Sequence, residues 1–553
     1  MGYEYMQLPE LQFCTIQEAE SLDISKNVDC TILVFNDTEQ MQGTLSSNAV
    51  MGCSIKLLND FIRADPSAAT GGTNLIVSPS VAGNKLIISP TGSLLGDLDD
   101  VRRYGDAVSL AIKRAKSISA RKLMVILQRP PFGKMDESIK ENYSCYYKVA
   151  ALAALAESYE PLEARETLSE LAEKSIQAIK IVLVDEQITS LELSEKKKLV
   201  DAIETGRRLA KDIGGADPER MSAVRAAETI KSYFSLVDNV KLSIVDELDI
   251  IKKDYPLVAA VARASGHVSR HAPRIVHLEY RSSDQSQVKE DLYMVGKGIN
   301  YDTGGADLKV GGNMATMSRD KCGAAALAGF VATCALLKPT HVNISVALAF
   351  ARNSIGSDSY VCDEIIKSRT GVRVRIGNTD AEGRMVMADL LAEQKEKAIS
   401  AGSLARARIF TCATLTGHVV RAYGPYAACM ENGPARLLAI GDRLKQSGQI
   451  IGDCFEISTL RREDKDMVQP TSNCDDIIQA NRAPSTMTNR GHQFPAIFLQ
   501  IVSGLNKHGL EASKDQRLAY THLDIAGTAE EPGFLHKTTG SPIAALTMAF
   551  IKN

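Results

Sequence analysis

The sequence predicts an α/β protein: a smaller N-terminal α/β domain joined by a helical connector to a larger C-terminal α/β domain with a mixed, mostly parallel central sheet covered by helices. Three observations carry that reading. Short apolar runs alternate with helical patterns along most of the chain, as β/α layering requires. At 553 residues the chain is too long for one ordinary core, since ~100–200 residues per domain is usual, and two domains are the working number. The alanine-rich segment Gly323 to Leu337 is apolar on every side, as a helix packed inside a layered domain must be.

In chain order, strand-like runs occur at 30–35, 74–77, 85–88, 122–127 and 178–184, separated by helical patterns. No catalytic cluster lies among them, so this part reads as structural or oligomerising. The charged segment Glu192 to Lys198 and the helical pattern through Leu209 form the connector. The boundary is placed near residue 190, giving domains 1–190 and 191–553, with the connector in the second. Gly214-Gly215-Ala216-Asp217-Pro218 is a helix stop and turn. Beyond it, strand-like runs fall at 292–295, 341–350, 372–376, 407–411 and 520–525, with no internal repeat.

Composition excludes several function classes. A formal net charge of −3 offers no general attraction to nucleic acid or anionic membranes. No apolar run reaches transmembrane length, and an acidic residue, Glu4, sits where a signal peptide would be basic. The 11 cysteines are scattered without a C-x-x-C pair, which argues for reduced thiols and a cytoplasmic location.

The chemistry is concentrated in Asn378-Thr379-Asp380-Ala381-Glu382-Gly383-Arg384, read as the acidic half of a metal site. Carboxylates two residues apart diverge on a helix, so Asp380 and Glu382 converge only from a loop, and Gly383 supports one. The flanking strand 372–376 and the helical pattern Met385 to Glu393 place that loop at the carboxyl end of a strand, where open α/β sheets bind ligands. A second stretch, Gly296 to Lys309, reads as a glycine-rich loop after a strand. It lacks the spacing of a phosphate-binding P-loop. It does carry Lys297, Asp302 and Lys309, with Asp320 following at the start of the apolar helix. Several carboxylates sharing one place imply more than one divalent ion, because their mutual repulsion is otherwise costly.

These blocks, with Ala413 to Gly417 and His522 to Thr528, resemble the leucine aminopeptidase family of dinuclear metallo-exopeptidases over most of residues 205–550. The resemblance implies that Asp302 and Glu382 bridge two ions, that Asp380 completes one, and that Lys297 and Asp320 complete the other. Zinc is usual, with manganese or magnesium exchangeable at one position. Lys309 and Arg384 would face the substrate, the arginine holding a bicarbonate as proton acceptor. The substrates would be peptides with a free N-terminus, leucine-like at the first position, and cleavage would use a water activated by both metals. Met317, Thr414 and Gly417 would line the pocket for the first side chain. A homohexamer with neither nucleic acid nor membrane partners is also implied. Charge counting agrees, since four carboxylates balance two divalent ions. Lys297 could ligate only as the free amine.

The chain departs from the family at Arg352, Thr411, Lys321, Cys322 and the extra carboxylate Asp307. These departures leave open an alternative, a catalytically weak or inactive family member with a structural or assembly role. His522, in an apolar run, reads as a satisfied core histidine.

Overall fold

The computed structural model describes residues 7–21, 26–36, 38, 52–168, 170–184, 188–481, 483, 487–531 and 537–552. The described residues form two compact units, one of residues 6–204 with 448–453, the other of residues 205–447 with 454–553.

Among the described residues, the first unit carries a six-stranded sheet of β1 (Glu10–Thr15), β2 (Cys30–Phe35), β3 (Asn74–Val77), β4 (Lys85–Pro90), β5 (Lys122–Gln128) and β6 (Ala178–Val184). The order is β1-β6-β5-β2-β4-β3, and only β3 runs antiparallel to its neighbour. The inner strands β2 and β5 are buried at every position but Lys122, as parallel strands covered on both faces must be. Helix α1 (Arg102–Ser117) buries Tyr104, Ala107, Val108, Ala111, Ile112 and Ala115, a stripe at three- and four-residue spacing, while its charged face meets solvent. Strand β1 had no counterpart in the sequence reading. The division between units, at residues 204/205, falls inside one helix, α2 (Ser190–Gly215), which ends at the glycine pair.

The second unit is built on an eight-stranded sheet. Its strands are β7 (Val240–Val245), β8 (Arg274–Tyr280), β9 (Glu290–Asp302), β10 (Val342–Asn353), β13 (Ala407–Ala413), β14 (Ala427–Glu431), β15 (Phe455–Ile457) and β17 (Ala519–Asp524). The order is β15-β14-β17-β13-β9-β10-β8-β7. The central four, β17, β13, β9 and β10, are parallel, whereas β8, β7 and β14 pair antiparallel. The sheet is therefore mixed, and helices α3 (Cys322–Leu337) and α4 (Glu382–Ser400) pack on it. Helix α3 is buried over all but its last turn, as its composition requires.

Because the four central strands are parallel, their carboxyl ends share one edge. Asp302 ends β9, Asn353 ends β10, Ala413 ends β13 and Asp524 ends β17.

Two expectations need correction. The segment Gly296 to Asp302 is not a loop but the second half of β9, paired on β10 through the register Lys297↔Ala349 to Asp302↔Asn353. The run 372–376 does not join the main sheet. It supplies β12 (Arg373–Arg375), which with β11 (Ile365–Lys367) and β16 (Ile477–Ile478) makes a separate three-stranded sheet. The reason lies in its alternation. Val374 is buried, but Arg373 and Arg375 pair with Asp476 and Asp475, at 2.6 Å and 2.9 Å, and two guanidinium groups cannot enter a layer covered on both faces.

Candidate metal centre

Five ionisable groups converge at the carboxyl edge of the main sheet. Lys297 projects from β9 and Asp302 ends that strand. Asp320 follows a single 3₁₀ turn, Met317–Arg319, just before α3. Glu382 is the first residue of α4, and Lys309 lies in the loop after β9. One carboxylate oxygen each from Asp302, Asp320 and Glu382 lies within 4.8 Å of the others, and all three residues are buried.

The two lysines thread this cluster. Lys297 Nζ lies 2.7 Å from Asp320 Oδ1 and 2.9 Å from Glu382 Oε1, and donates to the Thr414 carbonyl at 3.1 Å. Lys309 Nζ lies 2.9 Å from Asp302 Oδ2 and also contacts Asp380 Oδ1. Burial opposes charge on both lysines, yet the surrounding carboxylates outweigh it and raise both above the ordinary lysine value. The carboxylates are strained the other way. Burial, with the neighbouring acids, pushes Asp320 and Glu382 up, and Asp380 up to about 7. Asp320 Oδ2 and Glu382 Oε2 are buried without a hydrogen-bond partner, a costly state for carboxylate oxygens. Buried, oxygen-rich, crowded and partly unsatisfied, this donor set fits divalent cations.

The loop 378–381 is held by its own Asn378 and by residues outside the motif. Asn378 Oδ1 accepts from Asp380 N–H at 2.8 Å, an Asx turn that aims Asp380. The buried Gln479 accepts from the amides of Gly377 and Asn378 and donates to the carbonyls of Asn378 and Ala381. Asn353 Nδ2 bonds both Asp302 Oδ1, at 2.8 Å, and the Thr379 carbonyl, at 3.1 Å. Tyr360 donates its hydroxyl to the same carbonyl at 2.7 Å. A local motif could not have revealed Gln479, about a hundred residues away in sequence.

Gly383 does not make a loop. It is the second residue of α4, and a Cβ there would lie 2.5 Å from Lys297 Cε, 2.6 Å from its Nζ and 2.8 Å from Leu415 Cδ1. The glycine is required by the close approach of Lys297, not by backbone conformation. Asp380 lies in the loop and contacts Lys309, whereas Glu382 opens the helix and joins the carboxylate cluster with Asp302 and Asp320.

Arg384 is buried beside the cluster. Its Nη1 donates to the Gln479 carbonyl at 2.9 Å and its guanidinium stacks over Phe494 at 4.7 Å, while Nε has no partner. Burial pulls its pKa down to about 10. Of the residues expected to line a pocket, Thr414 also braces the acids, donating to Asp320 Oδ1 at 2.9 Å. Met317 is half-buried in the 3₁₀ turn, and Gly417 is exposed at the start of the helix Gly417–Tyr423.

The unusual residues find partners away from the ligand oxygens. Lys321 is fully buried, its ammonium donating to the Ala216 carbonyl at 2.9 Å and to that of Ser318. Arg352 stacks over Tyr301 at 5.3 Å and pairs with Glu219. Thr411 Oγ1 lies 2.8 Å from Tyr520 Oη and 2.7 Å from His522 Nδ1. His522 is thus in the core as expected but only half satisfied, since its Nε2 is without a partner. Burial pulls its pKa down to about 3, so it stays neutral.

Fold and site together define a layered α/β protein whose buried carboxylate cluster, at the carboxyl edge of the main sheet, fits divalent cations. The "Cytosol aminopeptidase family, catalytic domain" matches residues 208–547, and the chain belongs to that family of metal-dependent aminopeptidases. The Caenorhabditis elegans protein named "Putative aminopeptidase W07G4.4" is 37% identical over 524 residues, 94% of each chain. A "Probable cytosol aminopeptidase" of Nitrosospira multiformis is 27% identical over 88% of this chain and 86% of its own. Among solved structures, the leucyl aminopeptidase of Trypanosoma brucei in complex with bestatin shares the fold, with TM-score 0.75, 20% identity and coverage of 99% and 96%. The bottromycin maturation enzyme BotP in complex with Mn aligns at TM-score 0.70 and 18% identity, covering 94% of this chain and 98% of its own. Among the described residues no helix is long and apolar enough to cross a membrane, and all 11 cysteines are free.

Proposed function

We propose that the centre is dinuclear and that the protein releases N-terminal amino acids, leucine-like by preference, from peptides. The observation that carries this is the convergence of the Asp302, Asp320 and Glu382 oxygens within 4.8 Å around the buried Lys297 and the half-buried Lys309. Asp302 and Glu382 would be shared between two ions, Asp380 would complete one site, and Lys297 with Asp320 the other. Zinc, with manganese or magnesium exchangeable at one position, suits these donors. Such ions, when bound, supply Lewis acidity and lower the pKa of a coordinated water.

The chain's own residues then divide the work. The acidic wall of Asp320 and Glu382 receives the peptide's α-amino end and restricts cleavage to the first residue. Lys309, half-buried beside the cluster, would hydrogen-bond the scissile carbonyl oxygen as charge develops on it. Arg384, with a buried unpaired Nε, is suited to hold a small anion such as bicarbonate that takes a proton from the attacking water and returns it to the leaving amine. Met317, Thr414 and Gly417 border the first side chain. The N-terminal domain serves assembly, with a homohexamer and a cytoplasmic location as the working picture. The local partners of Lys321, Arg352 and Thr411 weigh against an inactive, purely structural role, because none diverts a ligand oxygen.

Hydrolysis of leucyl amide and leucyl dipeptides, with Mn²⁺ or Zn²⁺ and with a chelated control, tests this reading. We expect metal-dependent turnover that falls by about two to three orders of magnitude in Lys309→Ala, the effect of removing a preorganised oxyanion donor. Turnover unaffected by chelation, or absent with every metal, would overturn it.

A further inference from the structure

We propose that Asp307 is a positioning residue that locks the loop carrying Lys309 onto the loop carrying Asp380, with Cys362 holding its carboxylate in place. The inference rests on the reading of Lys309 as the residue facing the substrate, and deepens it.

Lys309 must place a long, flexible ammonium between Asp302, at the end of β9, and Asp380, on the motif loop. The Asp380 side is rigid. Thr379, the residue before it, is fully buried, and its carbonyl accepts from both Asn353 and Tyr360. The Lys309 side is not held in that way. Its loop turns on Gly304 and Gly305, at φ of 88° and 67°, and residues 306–308 are exposed. Within the loop, Lys309 N–H donates to the Thr303 carbonyl at 2.9 Å.

Asp307 joins the two. Its Oδ2 accepts from the Thr379 amide at 2.7 Å, and its own amide donates to Thr379 Oγ1, also at 2.7 Å. The Thr379 hydroxyl in turn donates to the Gly304 carbonyl at 2.7 Å. Bonds running in both directions fix distance and orientation together, and they do so one residue from Asp380 and two from Lys309. From a third segment, Cys362 Sγ lies 3.2 Å from the same Asp307 oxygen and 3.4 Å from the Gly377 carbonyl. Burial and the Asp307 carboxylate push this thiol up to about 11, so it remains an S–H donor at neutral pH. Asp307 contributes no oxygen to the metal cluster, and its exposed position would ordinarily mark a surface residue. Its bonding marks a clamp.

Two measurements decide the matter. In Asp307→Ala, hydrogen exchange of the chelated protein, followed by mass spectrometry, should quicken at peptides covering 303–309 and 378–381 and stay unchanged over α3. Unchanged exchange at both loops would overturn the clamp, whatever the activity. In the metal-loaded enzyme, Asp307→Ala should lower kcat about 10- to 100-fold with little change in KM, the range for partners that orient a functional group. In a Lys309→Met background the same substitution should cost less than about twofold, because coupled residues are not additive. Equal losses in both backgrounds would reduce Asp307 to a stability role and overturn the proposal. Asp307→Asn, which keeps an acceptor, should recover most of the rate lost in Asp307→Ala, and Cys362→Ser, which keeps a donor, should retain more of the wild-type rate than Cys362→Ala. If wild-type protein hydrolyses no substrate with any metal, the function reading fails and the exchange experiment alone decides the clamp.

Discussion

At the scale of single residues, the centre is a contest between burial and charge. Lys297 sits among three buried carboxylates, and their attraction outweighs the cost of burying its ammonium. A divalent ion drawing on the Lys297 nitrogen must therefore displace a firmly held proton. The sign follows: raised lysine pKa means the proton is bound at neutral pH, so metal affinity should weaken as pH falls and strengthen as it rises, by about tenfold per pH unit for each proton released. Calorimetric titration with Mn²⁺ in two buffers of different ionisation enthalpy would count those protons, and a count of zero would remove Lys297 from the ligand set. Gly383 makes a second residue-scale test. Gly383→Ala should leave the fold intact by circular dichroism yet cost metal affinity by at least about tenfold, since the new methyl occupies the place of the Lys297 side chain. Wild-type affinity in that variant would show that Lys297 can move aside without consequence.

At the scale of elements, the site depends on segments that meet only by packing. The motif loop hangs between β12 of the small sheet and α4 of the large one, and the four hydrogen bonds of Gln479, next to β16, span the joint. Gln479→Ala should therefore loosen Asp380 and Glu382 together. We expect a fall in metal affinity of about 10- to 100-fold, read by titration against a fluorescent chelator, with a smaller loss in melting temperature than a core truncation would give. An unchanged affinity would mean that Asn353, Tyr360 and the Asx turn suffice.

At the scale of the whole molecule, the chain places its chemistry in one unit. The carboxyl ends of four parallel strands bring Asp302, Asn353, Ala413 and Asp524 to one edge, and no ionisable cluster with metal-ligand geometry occurs elsewhere among the described residues. The other unit carries its own six-stranded sheet and core. Its proposed assembly role predicts that sedimentation velocity at micromolar concentration will give a species near six times the 59.8 kDa chain mass. A monomer at that concentration would sink the hexamer.

The carboxylates of the motif, the α/β layering and the buried character of α3 were legible from sequence, because each depends on local pattern: an acidic motif of seven residues, runs of apolar side chains, an alanine-rich stretch apolar on every side. What only the tertiary structure decided is where those pieces lie. Alternating Arg and Val in 372–376 is a strand signal, but the sheet it joins was set by Asp475 and Asp476, a hundred residues on. Gly383 announced a need for glycine, but the reason was a lysine side chain arriving from β9. Gln479 carried no signal of its own and Asp307 stood out only as an extra carboxylate, since a side chain that acts by bonding distant backbone looks like any other polar residue until the fold closes around it.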